Sequence, residues 1–379
     1  MNGLACCQLK SAVQVAAIAL IAVNVNYNHT KICMFVRLTD YFSVRKVRSS
    51  SLQGLDLQHH VAGRSIVQMT NDITVKQSQP HMVALLRARE RTYHAAKFTQ
   101  GGMVILTIAL PVMSVLLAPR FPLLKPYLAL AALVLLLLDT GLIERIQKER
   151  VKRGAKLIEE FDVEVLGLSW NRFIAGQKVD HEDVRSASAK LLSAKREGEL
   201  ASWYYACVSE VPLAFGRLIC QRTNISYDAR MRKKYGSTLL YGAIGLGLVL
   251  IFAGLAYDLN LAGLMLAVGV PFAPVLTWTL REQRKQLDTA ATLATLKSEF
   301  EKMWDKALAG ATDAEMQQNS RDLQNAIYQH RASAPLVFDW VYNCLRSGNE
   351  DVAEHAAQQL VTQAKSAIAK NLEAKNEVA

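Results

Sequence analysis

Aromatic residues are scarce in this chain: Phe, Trp and Tyr make up 7% of its 379 residues, although 51% are hydrophobic. The apolar content is mostly Ala, Leu and Val gathered into runs, the profile of a membrane protein with soluble parts. Cysteine chemistry is equally thin. The six cysteines, Cys6, Cys7, Cys33, Cys207, Cys220 and Cys344, form no CxxC pair and no His-Cys spacing that suits zinc. This argues against a metal site or a disulfide framework and points to reduced thiols in a cytosolic setting. Catalytic signatures are missing too. The sequence holds no P-loop, GxGxxG, GxSxG or HExxH pattern, so it predicts a protein that is not an enzyme, with no cofactor and no metal.

Four apolar segments are long enough to span a bilayer: Gly101 to Ala118, Pro126 to Ile143, Ser237 to Ala256 and Leu261 to Leu280. Loops as short as Pro119–Lys125 and Tyr257–Asn260 force each pair into an antiparallel hairpin. The predicted fold is a mainly α integral membrane protein, two transmembrane helical hairpins carrying α-rich cytoplasmic regions. The spans are almost empty of ionisable groups, with Asp139 near the cytoplasmic end of the second. Ion-coupled transport requires charged or polar ligands at the midplane, so a transporter is disfavoured. Helices this apolar do not line a wide aqueous pore within one subunit, so any channel would need several copies, a homo-oligomer, or an altered packing. Small residues four apart, Ala243/Gly247, Gly263/Ala267 and Gly269/Ala273, allow close helix approach. Pro111, Pro271 and Pro274 predict kinks.

Net charge is +11, and much of it is topological. Arg87, Arg89, Arg91 and Lys97 precede the first span; Arg145, Lys148, Arg150, Lys152 and Arg153 follow the second. Arg230, Arg232, Lys233 and Lys234 precede the third, and Arg281, Arg284 and Lys285 follow the fourth. The two tight loops carry only Arg120 and Lys125. The positive-inside rule then places both termini and the inter-hairpin region on the cytoplasmic side. Charges that hug helix ends so closely make a nucleic-acid patch the weaker reading.

The expected organisation is an extension over 1–68, a cytoplasmic helix over 69–100, hairpins over 101–143 and 237–280, a sensor region over 144–236 and a helical region over 281–379. In the extension, Ser11 to Val25 is apolar but short for a span of about 20 residues, and it contains Gln14 and Asn24. The preferred expectation is an upstream start, with Met69 the natural initiator and the extension dispensable; an unstructured extension and a fifth span are the alternatives. Between the hairpins, the alternation over Asp162–Leu168 predicts a short strand. Asp180 predicts the N-cap of a helix from His181 to about Ala206. Gly310 should end the helix that continues from the membrane, Thr312–Glu315 is a capping box, Pro335 breaks the next helix, and a last helix is expected from about Asn349.

The densest polar-aromatic run is Trp203-Tyr204-Tyr205, Glu210–Leu213, Arg217–Asn224 and Tyr227-Asp228. Guanidinium groups bind phosphates, rings stack on bases, and Gln, Asn and Asp read base edges, so this composition suits a nucleotide. It equally suits an amphipathic helix whose arginines pair with Glu210 or Asp228 or face lipid headgroups. The runs GLSWN (Gly167–Asn171), EVPL…RLICQRTN…D (Glu210–Asp228) and SAPLVFDWVY (Ser333–Tyr342), in this order around two hairpins, resemble the SMODS-associated four-transmembrane pore-forming effectors of bacterial antiphage systems. The resemblance covers about Met69 to Gln363. It implies that a cGAS/DncV-like nucleotidyltransferase makes a cyclic di- or oligonucleotide on infection, which the cytoplasmic part senses before the helices permeabilise the membrane and cause abortive infection. Trp170, Asn171, Arg217, Gln221, Arg222 and Asn224, which combine suitable chemistry with these motifs, are the candidate ligand residues. A membrane-anchored signalling or scaffold protein remains the alternative.

Overall fold

The computed structural model describes residues 71–117, 119–139, 141 and 144–378; the expectations for 1–68 lie outside these. Among the described residues every regular element is helical. A short α1 (Ile73–Gln77) leads into α2 (Pro80–Leu117), followed by α3 (Lys125–Leu138), α4 (Glu144–Val165), α5 (Arg172–Ala175), α6 (His181–Ser188) and α7 (Ala194–Ala201). Then come α8 (Leu213–Ala256), α9 (Leu261–Leu308), α10 (Asp313–Ser333) and α11 (Asp339–Val378).

Among the described residues three helices, α2, α8 and α9, have the length and apolarity to cross a membrane. Each is continuous from an apolar stretch into a charged one, so membrane and aqueous segments share one rigid rod. Pro80 opens α2, where its missing N–H has no helical partner to lose. The fourth expected span behaves differently. Its helix, α3, is described over 14 residues, and Asp139 and Gly141 beyond it are in π-helical conformation ahead of α4. A 3-10 turn over Pro122–Leu124 precedes it, extending the apolar helix to Pro122–Leu138. It packs against α9, and Asp139 at its end pairs with Arg281. In the tight turn between α8 and α9, Asp258 takes φ 54° and the Asn260 side chain accepts from Gly263 N at 2.8 Å. A π segment, Met265–Gly269, stands in α9 just before Pro271; proline removes a donor and the ladder widens by one residue.

The aqueous part buries one main core around Phe161, Leu218, Ile219, Phe300 and Trp304, drawn from α4, α8 and α9. Three expectations for it are corrected. Asp162–Leu168 is not a strand but the end of α4 and its cap: Gly167 sits at φ 63°, Leu168 N bonds Val163 O at 2.7 Å and Gly167 N bonds Glu164 O at 3.4 Å, a Schellman motif. The alternation misleads because Asp162, polar like Glu164, is buried against Arg331 while Glu164 is exposed. The helix from His181 ends at Ser188 and restarts at Ala194. Arg87 and Arg91 of α2 donate to the Ser188 and Lys190 carbonyls at 2.9 and 2.8 Å, and Ser193 caps the restart. The last helix begins at Asp339 rather than Asn349, where Asp339 pairs with Lys97. Gly310 at φ 94° and the capping box at Thr312 and Glu315 stand where the sequence placed them.

Candidate ligand cavity

A cavity of about 630 Å³ opens in the aqueous part between α2, α7, the Trp203–Tyr205 segment, α8 and the end of α10, within the usual range of about 300–1,000 Å³ for ligand sites. Aromatic side chains line it: Tyr93, Trp203, Tyr204, Tyr205, Tyr227 and Tyr342. So do the basic groups Arg89, Lys97, Arg196, Arg232, His330 and Arg331 and the carboxylates Glu199, Asp228, Glu350 and Glu354.

Most of these cations already have anionic partners. Arg196 bonds Glu90 and Glu199, each at 2.8 Å. Arg331 bonds the fully buried Asp162 at 2.5 Å, and Lys97 bonds Asp339. Arg232 and His330 share Asp228, at 2.9 Å each. Burial by itself would raise the Asp228 pKa, but Arg232 and the His330 hydrogen bond hold it well below the usual carboxylate range. Arg89 differs. Its guanidinium carbon lies 5.1 Å from the ring centroids of both Tyr93 and Trp203, and its Nε is buried with no hydrogen-bond partner. It makes no ion pair with any described residue. Two π faces hold this cation in place without neutralising it.

The six residues selected from sequence are spread across this neighbourhood. Asn224 lines the cavity and donates to the Tyr204 hydroxyl at 3.2 Å. Arg217 is 4% exposed and donates through Nε to Leu166 O at 2.8 Å, which ties α8 to the end of α4; burial lowers its pKa. Gln221, fully buried, donates to Ser320 O at 2.7 Å and joins α8 to α10. Arg222 lies 3.6 Å from Glu301 and 5.8 Å from the Phe300 ring. Asn171 caps α5 and bonds Asn325 at 3.3 Å, while Trp170 Nε1 donates to Gly176 O at 2.9 Å. None of these last five lines the cavity.

The sequence did not single out Arg89, because it falls in the arginine series before the first span and reads as an orientation signal. Its only distinguishing mark is Tyr93 one turn onward, which is common in any helix.

The model of the SMODS-associating 4TM effector domain matches residues 71–360. The chain belongs to this family. A Bacillus cereus (strain VD146) protein described as a probable CBASS effector molecule is 22% identical over 284 residues, spanning 73% of this chain and 93% of that protein. No solved structure matches. As a member of the SMODS-associating 4TM effector family, the chain is an effector domain of an antiphage system, a membrane protein whose context is linked to nucleotidyltransferase and cyclic nucleotide signalling.

Proposed function

We propose that this effector senses a cyclic di- or oligonucleotide in the cavity described above and permeabilises the bacterial inner membrane through α2, α8 and α9, with the α3 segment as the fourth crossing that leaves both termini cytoplasmic and several copies assembling to make the lesion. The observation that carries the sensing role is Arg89. A cavity walled by aromatic rings suits bases, and its one cation without an acidic partner among the described residues suits a phosphate. In this reading Asn224 meets a base edge and Tyr93, Tyr205 or Tyr227 a base face. Arg217, Gln221, Arg222, Trp170 and Asn171 hold the walls and act in this reading as positioning residues.

Equilibrium dialysis of the purified full chain in detergent against cyclic di-AMP, cyclic di-GMP, cyclic GMP-AMP and cyclic tri-AMP tests this directly. One charge-assisted contact to phosphate is worth about 1.5–3 kcal/mol, so Arg89→Met should weaken binding of whichever nucleotide binds by about ten-fold or more. Arg217→Met, which removes a wall contact and no lining group, should weaken binding clearly less than Arg89→Met. No binding by wild type, or wild-type affinity in Arg89→Met, would overturn the assignment.

The proposed topology has its own test. Reporter fusions at Asn260 and Lys125 are expected to behave as periplasmic, and fusions after Asn224 or Leu308 as cytoplasmic. A cytoplasmic signal at Asn260 would remove the topology, and with it the access of a cytosolic ligand to the cavity.

A further inference from the structure

Residues 334–338 join α10 to α11 without regular secondary structure, because Pro335 cannot extend α10. Four of them, Ala334, Pro335, Leu336 and Val337, line the cavity. The fifth, Phe338, points elsewhere. Its ring centroid lies 6.4 Å from that of Tyr235, edge to face, and 6.5 Å from that of Trp278. A Cβ on Gly101 would stand 3.9 Å from the same ring. Gly101 is the first residue of one apolar stretch, Tyr235 lies two residues before another, and Trp278 two residues before the end of a third. One aromatic ring therefore sits where α2, α8 and α9 enter the membrane on the side of the cavity.

The strap is held by its backbone. Arg232 donates to Pro335 O at 2.9 Å and to Gln286 Oε1 at 2.8 Å, and Gln286 donates to Leu336 O at 3.1 Å. Arg232 also lines the cavity. An anion bound near Arg232 competes with Pro335 O, Gln286 and Asp228 for the same guanidinium donors. Beyond Phe338, α2 carries Gln100, Thr107 and Ser114 at seven-residue spacing, which keeps them on one face of a helix. All three are buried in the bundle, and the Ser114 hydroxyl has no hydrogen-bond partner. Polar groups turned inward from an apolar span are candidates for a water or ion path.

We infer that Phe338 is the gate of this membrane bundle: nucleotide in the cavity releases the 334–338 strap, the ring leaves Tyr235 and Trp278, and the Gln100–Thr107–Ser114 face becomes the permeation path. The inference rests on the sensing and permeabilising role proposed above. Ligand shifts the equilibrium only if it binds the released strap more tightly than the held one, and the shared Arg232 supplies that difference.

The full chain, reconstituted in liposomes loaded with carboxyfluorescein, tests the gate with the same four cyclic nucleotides. Phe338→Ala removes two aromatic contacts and should leak without nucleotide about ten-fold or more faster than wild type. Gln286→Met frees Leu336 O while leaving the ring in place, and should lower the nucleotide concentration for half-maximal leakage by about five-fold. If wild type leaks with nucleotide while Phe338→Ala stays tight without it, the gate is overturned and the sensor stands. If Phe338→Ala leaks but no nucleotide acts on wild type, the gate stands and the sensor falls. Liposomes that stay tight in every case overturn both. Should Phe338→Ala not fold, an unchanged or higher half-maximal concentration in Gln286→Met overturns the gate by itself.

Discussion

Arg331→Met is expected to destabilise the aqueous part by about 3–5 kcal/mol, the usual consequence of leaving a buried charge without its partner. Asp162 is fully buried and accepts from the Tyr204 hydroxyl at 2.7 Å, from Gln324 Nε2 at 3.1 Å and from Arg331 at 2.5 Å. Burial lowers the Arg331 pKa, but Asp162 more than offsets this and leaves it raised. Two neutral donors cannot replace a guanidinium, so the variant holds an uncompensated carboxylate at the junction of α4, α8 and α10. The check is loss of helical circular dichroism on heating in detergent micelles. The double variant Asp162→Asn/Arg331→Met should recover most of the loss, since the neutral amide still offers Tyr204 an acceptor. Equal losses in the single and double variants would show that the cost is one of packing rather than of charge.

Phe300→Ala is expected to cost a similar amount, about 3–5 kcal/mol, through a cavity that α9 cannot close. Phe300 is fully buried, stacked on Trp304 at 5.7 Å and 22°, and Trp304 in turn meets Phe215 of α8 edge to face at 5.7 Å. These rings join the aqueous ends of the two longest helices. Phe300→Leu, which keeps most of the volume, should lose clearly less. Both variants should still insert, because the change lies twenty residues beyond the last apolar stretch. A loss below about 1 kcal/mol for Phe300→Ala would mean that the site collapses around the missing ring and that Phe300 does not anchor α9 to α8.

The sequence by itself determined the helical class, the membrane character, the tight turn before Asn260 and the stops at Gly310 and Pro335. Each depends on a local signal: a long apolar run, a residue suited to positive φ, or a missing backbone donor. Motifs in register were enough to reach the family. Only the tertiary structure decided what Asp162–Leu168 is, because a helix end buried on two sides alternates like a strand and Gly167 was the single residue that distinguished them. The break in the helix after His181 was likewise tertiary, since the carbonyls at Ser188 and Lys190 are satisfied by Arg87 and Arg91 from about a hundred residues away. The candidate site shows the same limit. Arg217 and Arg89 are both arginines on helices, and nothing local separates a guanidinium held by the backbone carbonyls of another helix from one held between two rings with no acid beside it. That difference depends on which residues the fold brings within about 5 Å of each side chain, and spacing along the chain does not encode it.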